Sequence, residues 1–297
     1  MSAASIKARS VTYDSIASYA RDVIDQIRAT PTSFPLQLTV RLPGLMIDVS
    51  AFPGELAESI EQNLHPCPQT PASPERMKVF LAHPGLKGIP SPAHWMEREP
   101  RWSHDIAEML AASGLRASYF YDLDHWHIYD PDTHVAVSVM GAPGVYPAWE
   151  PSAPLRPFLH WFYAGQGKRL AHCGTLGVDG AGVLLAGPGG SGKSATVISG
   201  ILNGLQTVGD DYVLIENHPE VIARPIFGIL KQDPEGIHRL GLSGIIGNRK
   251  PNWQGKLQFS FSDIARQPTP DQISIKAMLV PQFTGNSQTP IAALSRS

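Results

Sequence analysis

A glycine-rich segment in the second half of the chain has the residue types and spacing of a phosphate-binding loop. Residues 187–194 read GPGGSGKS and fit the pattern G-x-x-x-x-G-K-S/T. In this pattern the glycines let the backbone wrap a phosphate, the lysine reaches the β- and γ-phosphates, and the final hydroxyl contacts Mg²⁺. We therefore predict ATP and Mg²⁺ as cofactors, with Lys193 on phosphate and Ser194 on the metal. The predicted nucleotide contacts are Gly187, Pro188, Gly189, Gly190, Ser191, Gly192, Lys193, Ser194 and Ala195.

Two adjacent carboxylates, Asp210 and Asp211, follow this loop. The intervening residues predict a helix over 194–203 and a strand over 205–208, which would place the carboxylates directly at the end of that strand. Beside a triphosphate, one carboxylate is suited to hold Mg²⁺ and the other to accept a proton from an attacking hydroxyl. An Asp-Asp pair in isolation is more typical of a solvated turn, and the nearby loop reverses that preference.

His172 is the third candidate for chemistry. Residues 169–178 predict a strand, and Asp179-Gly180 is a turn signal that leads into the apolar strand 182–186 before the loop. This hairpin would bring His172 towards the phosphate site. A lone histidine in a strand is more often a packed or surface residue, so the role of His172 rests on that geometry.

The rest of the chain predicts an α/β or α+β protein in two parts. A segment with four prolines and two glycines, residues 141–154, predicts a linker, so we place a domain boundary near residue 150: an N-terminal α+β domain over 1–150 and a phosphate-loop domain over 151–297. The other predicted elements are a helix over 14–28 capped by Asp14, a strand over 36–42, loops over 66–74 and 84–100, a helix over 103–113, strands over 116–122 and 134–140, a helix from Leu155 ended by Gly165 and Gly167, and a strand over 273–281.

Composition excludes several classes of protein. The chain has 297 residues and a formal net charge of −2, so no overall basic field favours nucleic acid or anionic lipid. Two cysteines form at most one disulfide, which is too few to stabilise a chain of this length. No run of apolar residues is long enough to span a membrane, and the two observations together favour a cytoplasmic protein. We predict no nucleic-acid or membrane partner, and the oligomeric state is left open, with a homo-oligomer among the options.

The segment from His172 to Glu216 resembles the nucleotide-binding core of HPr serine kinase/phosphorylase-like proteins. The shared pattern is a His-bearing strand, a hairpin, a phosphate loop and a nearby Asp-Asp pair, and it is clearest over residues 155–216. The resemblance implies a P-loop kinase fold similar to that of phosphoenolpyruvate carboxykinases. It also implies transfer of the γ-phosphate of ATP to a serine hydroxyl of a peptide or protein. Divergent relatives of this type resemble the tailoring kinases of lasso-peptide biosynthesis, which phosphorylate a hydroxyl of a precursor peptide.

The same resemblance implies roles for individual residues. Asp211 and Ser194 would hold the metal, Asp210 would be the base for the acceptor hydroxyl, and His172 and Lys193 would lie beside the reacting phosphate. Lys231 and Lys256 would supply further positive charge to the phosphate or substrate. Where HPr kinases have a glycine after the histidine and an acid after the Gly-Lys-Ser, this chain has Cys173 and Ala195, and no Glu-x-Arg-Gly-type signature follows. These departures argue against HPr as the acceptor and against phosphorylase activity.

Other functions remain open at this point. A small-molecule hydroxyl kinase and a nucleotide-binding regulatory pseudokinase both fit the motif, whereas a carboxykinase lacks identifiable substrate arginines. A second group of polar residues surrounds a predicted hairpin and suggests a metal, but no cysteine or glutamate in the pattern completes a ligand set. Its members are Asp122, Asp124, His125, His127 and His134.

Overall fold

The computed structural model describes residues 15–29, 34–67, 74–86, 89–90, 103–217, 219–282 and 292. Its helices are α1 (Ile16–Ala29), α2 (Glu55–Asn63), α3 (Ser103–Leu110), α4 (Arg156–Gly165), α5 (Lys193–Leu202), α6 (Pro234–Arg239) and α7 (Ser243–Ile246). Its strands are β1 (Leu36–Leu42), β2 (Leu45–Ala51), β3 (Glu75–Ala82), β4 (Arg116–Phe120), β5 (His125–Asp130), β6 (Val135–Val139), β7 (Arg169–His172), β8 (Gly174–Val178), β9 (Ala181–Leu185), β10 (Tyr212–Asn217), β11 (Val221–Pro225), β12 (Ile229–Gln232), β13 (Leu257–Ser260) and β14 (Ile273–Leu279). Helices and mixed sheets together confirm the predicted α+β class.

The first sheet has the strand order β1-β2-β3-β6-β5-β4. The pairs β2–β3 and β3–β6 are parallel, and the pairs β1–β2, β6–β5 and β5–β4 are antiparallel. Helices α1 and α3 pack on one face, and α2 and α4 pack on the other. Because both faces are covered, every residue of β5 and β6 is buried.

Two elements of this first part agree closely with the sequence prediction. The apolar stripe of the first helix is buried as predicted, and β1 has the predicted bounds. The predicted cap Asp14 lies outside the described residues, and the Ser15 hydroxyl instead accepts a hydrogen bond from the Ser18 amide at 3.1 Å. Most of the predicted loops over 66–74 and 84–100 also lie outside the described residues.

Two other predictions for this part need correction. The sequence predicted two strands over 116–122 and 134–140, but the structure has three antiparallel strands there, with β5 between β4 and β6. A strand buried on both faces carries no alternation of polar and apolar residues, which explains the omission. The predicted helix over 103–113 is α-helical only to Leu110, continues as a 3-10 turn to Ser113, and ends at Gly114 with φ of 75°.

The second sheet has the order β7-β10-β11-β14-β9-β8. Strand β14 is parallel to β9, and the other pairs are antiparallel. The predicted turn between β8 and β9 is confirmed, with Asp179 and Gly180 at φ of 50° and 80°, as in the type I′ turns that match strand twist. Helix α5 packs between this sheet and the small hairpin of β12 and β13.

Helix α4 joins the two sheets. Its buried face belongs to a hydrophobic cluster that also contains residues of β1 to β3 and of the segment 226–229. The predicted linker before it is packed rather than free, because Glu150, Ser152 and Ala153 are buried. A boundary near residue 150 stays a prediction. None of the helices in the described part of the chain has the length and apolar character needed to cross a bilayer.

Candidate functional site

The glycine-rich loop lies between β9 and the N-terminus of α5. Gly190 and Gly192 have φ of 81° and 97°, values that L side chains rarely adopt, so the tight path of this loop depends on glycine there. No side chain caps α5, and the amides of Gly189, Gly190 and Gly192 donate no hydrogen bond within the described residues. Free amides at the start of a helix form an anion-binding site, since they add to the positive end of the helix dipole.

Lys193 is held at the centre of this loop. Its side chain is buried, and Nζ donates to the carbonyl oxygens of Gly187 and Pro188 at 2.7 and 2.9 Å. No carboxylate among the described residues pairs with it. Because Nζ bonds carbonyl oxygens and not a carboxylate, no acidic side chain competes with an incoming anion for this group.

The two carboxylates stand before β10 rather than at the end of a strand. The predicted strand over 205–208 is reduced to one isolated bridge between Gly177 and Gln206. The segment is fixed instead by Thr175, whose amide and hydroxyl both donate to the Gly209 carbonyl, at 2.9 and 3.2 Å. The Thr207 hydroxyl is the third donor to the same carbonyl, at 3.1 Å. Side-chain bonds replace strand pairing here, which hydrophobic periodicity does not reveal.

Asp210 is buried and only partly satisfied. It is 4% exposed, and its Oδ1 has no hydrogen-bond partner within the described part of the chain. Burial, with a smaller effect from the charge of Asp211, raises the pKa of Asp210 to about 7. A hydrogen bond from Ser194 and the charges of Lys231 and Lys256 oppose that rise without cancelling it. A carboxylate with a pKa near neutrality and a free oxygen can accept a proton at physiological pH.

Asp211, in contrast, has both oxygens engaged. His172 Nε2 lies 2.9 Å from Oδ1, and Lys231 Nζ lies 2.5 Å from Oδ2. Burial alone would raise the pKa of Asp211, but the hydrogen bond from His172 and the charge and hydrogen bond of Lys231 outweigh it and hold the pKa well below its ordinary value. Asp211 is therefore the permanently ionised member of the pair.

Strand pairing explains how His172 reaches Asp211. His172 ends β7 directly opposite Tyr212 on β10, and the two rings stack with centroids 5.1 Å apart. The chain breaks the predicted continuous strand 169–178 at Cys173, which separates β7 from β8. Burial raises the pKa of the Cys173 thiol to about 12, so this cysteine stays protonated and unreactive.

These residues line one cavity of about 480 Å³. It brings together His172, Lys193, Ser194, Asp210, Asp211, Lys231 and Lys256, together with the loop residues Gly189, Gly190, Gly192 and Ala195. The predicted loop residues Gly187, Pro188 and Ser191 do not line it, although Gly187 and Pro188 hold Lys193. The wall residues Trp149, Arg156 and Trp253 were not among the predicted site residues, because packing is the default for a tryptophan and a lone arginine carries no local motif.

A second cavity adjoins the first. It has a volume of about 750 Å³ and shares Ser152 and Trp253 with the site. One wall is the α2 helix of the first sheet, including Glu55 and Glu58, and the other is the turn and hairpin around β13. Trp253 is 56% exposed at the junction. The two cavities share this part of their lining, and the second, hereafter the groove, extends from it along α2.

The donor set is suited to Mg²⁺. Ser194 and the two carboxylates offer oxygen atoms only, which this hard cation prefers, and Asp210 Oδ1 is an unsatisfied buried oxygen among them. Over the described residues, no group of three or more His, Cys, Asp or Glu side chains is arranged to hold a metal without other ligands. Mg²⁺ commonly takes most of its ligands from phosphate and water.

The other polar cluster weighed from the sequence is a buried network within the first sheet. His125 and His127 are fully buried on β5, with Nε2 atoms 3.3 Å apart, and Ser138 and Glu150 surround them. His134 lies apart from them and bonds Tyr129 at 2.9 Å.

Neither a protein-family model nor a curated protein sequence matches this chain. We therefore infer the function from the residues of the site and their geometry.

Proposed function

We propose that this protein is an ATP- and Mg²⁺-dependent kinase that transfers the γ-phosphoryl group to a serine hydroxyl of a peptide or protein. The observation that carries the proposal is Asp210: a buried carboxylate with a free oxygen and a pKa raised to about 7, in the same cavity as Ser194 of the phosphate loop. A structural aspartate would be satisfied on both oxygens. This one is arranged to receive a proton.

Each residue has a role in that reaction. Loop amides and Lys193 bind the phosphates, and Ser194 with Asp211 would hold Mg²⁺, which offsets phosphate charge when bound. Asp210 accepts the proton of the acceptor hydroxyl. At the same time the hydroxyl oxygen bonds to the γ-phosphorus, and the bond from the γ-phosphorus to the leaving ADP oxygen breaks. Lys231 and Lys256 stabilise the charge that spreads over the transferring group. His172 orients Asp211 through its 2.9 Å contact.

The second cavity supports a peptide acceptor over a metabolite. In this proposal the 480 Å³ cavity receives the nucleotide and the reacting hydroxyl, and the adjoining 750 Å³ groove along α2 leaves space for the rest of a peptide. This arrangement gives the first sheet a role in acceptor binding. The likeness to HPr kinase-like proteins and to lasso-peptide kinases stays a prediction.

The test is transfer of label from [γ-³²P]ATP to serine peptides and to soluble metabolites, with three variants. We expect Lys193→Ala to abolish transfer. Asp210→Asn should lower kcat about 100-fold or more while ATP affinity persists, because it removes only the base. Asp211→Asn should instead weaken the Mg²⁺ dependence of ATP binding. Undiminished turnover in Asp210→Asn would contradict the mechanism, and label in metabolites alone would favour a small-molecule kinase.

A further inference from the structure

Arg156 is a half-buried cation without an acidic partner. It stands in the first turn of α4, with its guanidinium carbon 4.0 Å from the Trp149 ring centre and 5.0 Å from that of Tyr212. Its Nη1 donates to the Tyr212 hydroxyl at 2.7 Å. Within the described residues no carboxylate lies at ion-pair distance from it. Arg156 lines the same cavity as the two carboxylates, and its guanidinium has further N–H donors besides the one bonded to Tyr212.

Several other half-buried cations are paired with carboxylates, whereas among the described residues Lys193 and Lys256, which line the same cavity, are not. Arg224 and Lys168 share Glu216 at 3.0 and 2.8 Å, and Lys231 contacts Asp211. A half-buried charge is costly unless an opposite charge or hydrogen bonds compensate it. Arginine stacked between aromatic rings is also a rigid fork that matches the geometry of a carboxylate or phosphate. Arg156 therefore has guanidinium donors left for an anion that arrives with a ligand.

The position of Arg156 separates it from the phosphate loop. The Tyr212 ring contacts both Arg156 and His172, and His172 in turn contacts Asp211. Arg156 is thus connected to the carboxylate pair through residues of β7 and β10. The loop amides and Lys193 lie on the side of β9 and α5, where they already supply the donors for the nucleotide phosphates.

The first sheet holds this wall in place. Trp149 precedes Glu150, which is buried with Oε2 3.3 Å from His127 Nε2. The Trp149 ring also packs against Phe120 with centroids 5.7 Å apart. Because Trp149 is anchored on two strands of the first sheet, the guanidinium has a fixed position before any ligand binds, which limits the entropy lost on binding.

We propose that Arg156 binds an anionic group, a carboxylate or a phosphate, on the acceptor, and so selects serine peptides that carry an acid near the reacting hydroxyl. This inference rests on the proposed kinase function. It identifies the substrate class: an acidic peptide rather than a neutral or basic one. Arg156 is a specificity-determining residue here, and takes no part in the transfer of the phosphoryl group itself.

The test compares matched serine peptides in the full-length protein. Each pair differs by Asp or Asn at one position from −4 to +4, and a third set carries phosphoserine at that position, which distinguishes a carboxylate from a phosphate as the preferred anion. We expect wild type to favour one acidic position by about 10- to 100-fold in kcat/KM, mainly through KM. Arg156→Gln should bring that ratio to about 1, and Arg156→Lys should keep part of it. Arg169→Gln is the control, since Arg169 is exposed and bonds only the Lys168 carbonyl.

Three results would overturn the inference: an acidic preference that persists in Arg156→Gln, no acidic preference in wild type, or a loss of ATP affinity in Arg156→Gln with peptide choice unchanged. The last would place Arg156 on the nucleotide.

Failure of the proposed function is seen separately, as no ATP binding by wild type. If ATP binds but no peptide is labelled, titration of phosphoserine peptide into protein saturated with a non-hydrolysable ATP analogue replaces transfer as the readout. Equal affinity of wild type and Arg156→Gln in that titration would also refute the inference.

Discussion

The buried state of Asp210 makes a prediction about stability that needs no substrate. In the folded protein the pKa of this carboxyl rises to about 7 from an ordinary value of 3.8, and the largest cause is burial. Between these two pH values the folded protein keeps a proton that the unfolded chain has released. Stability therefore falls as pH rises through this window and becomes flat above it, because both states are then ionised.

The size of this effect follows from the pKa. About three pH units at about 1.4 kcal/mol each correspond to a loss of about 4 kcal/mol between pH 4 and pH 8. Asp210→Asn removes the titration, so the stability difference between variant and wild type should grow by about this amount over the same range. The same substitution abolishes the proposed base, so a gain in stability above pH 7 should accompany a loss of phosphoryl transfer.

The measurement is urea unfolding at half-unit steps from pH 4 to pH 8, without nucleotide or Mg²⁺. Asp179→Asn is the matched control, because Asp179 is exposed on the turn between β8 and β9. The difference for Asp210→Asn should increase by about 1.4 kcal/mol per pH unit up to about pH 7. A difference that changes by less than about 1 kcal/mol over the whole range would show that Asp210 is not held protonated by burial.

Three further predictions follow from other parts of the site. Gly182→Ala would put a Cβ 2.2 Å from the Leu176 carbonyl oxygen, so we expect unfolding free energy to fall by about 1–3 kcal/mol or more, whereas Gly165→Ala has open space and should not destabilise. His172→Ala removes a hydrogen bond that holds Asp211 ionised, so kcat should fall about 10- to 100-fold, with a shifted acid limb of the pH profile as the sign of a positioning role. An unchanged pH profile would refute that role. Trp253→Ala should raise KM for a peptide acceptor about tenfold with ATP affinity retained, and an unchanged KM would argue against the groove as the acceptor site.

Much of the fold was predictable where one face of an element is exposed. The first helix shows a polar and an apolar side, so its buried residues were read correctly from Ile16 to Ile27. The β8–β9 hairpin was predictable because Asp179-Gly180 suits the turn. Strand β5 was not, because a strand buried on both faces has no periodic signal.

Among the site residues, those that belong to a local motif were predictable and those brought together by packing were not. The motif around Lys193 is local in sequence, so its loop and helix appear where the pattern placed them. The contact of His172 with Asp211 depends on pairing between β7 and β10, and the hairpin argument gave only its approximate direction. Arg156 and Trp149 meet Tyr212 through packing of α4 between two sheets. No short-range pattern contains that information.

The central claim is that the cavity between the glycine-rich loop and the Asp pair binds a magnesium-bound nucleotide. Isothermal titration calorimetry of ATP into the full-length protein with Mg²⁺ tests it most directly. We expect saturable binding at one site per chain, weakened at least about tenfold by Lys193→Ala, which removes the ammonium held over the loop. No heat with ATP, ADP or GTP in the presence of Mg²⁺, together with no change in thermal stability, would contradict the account.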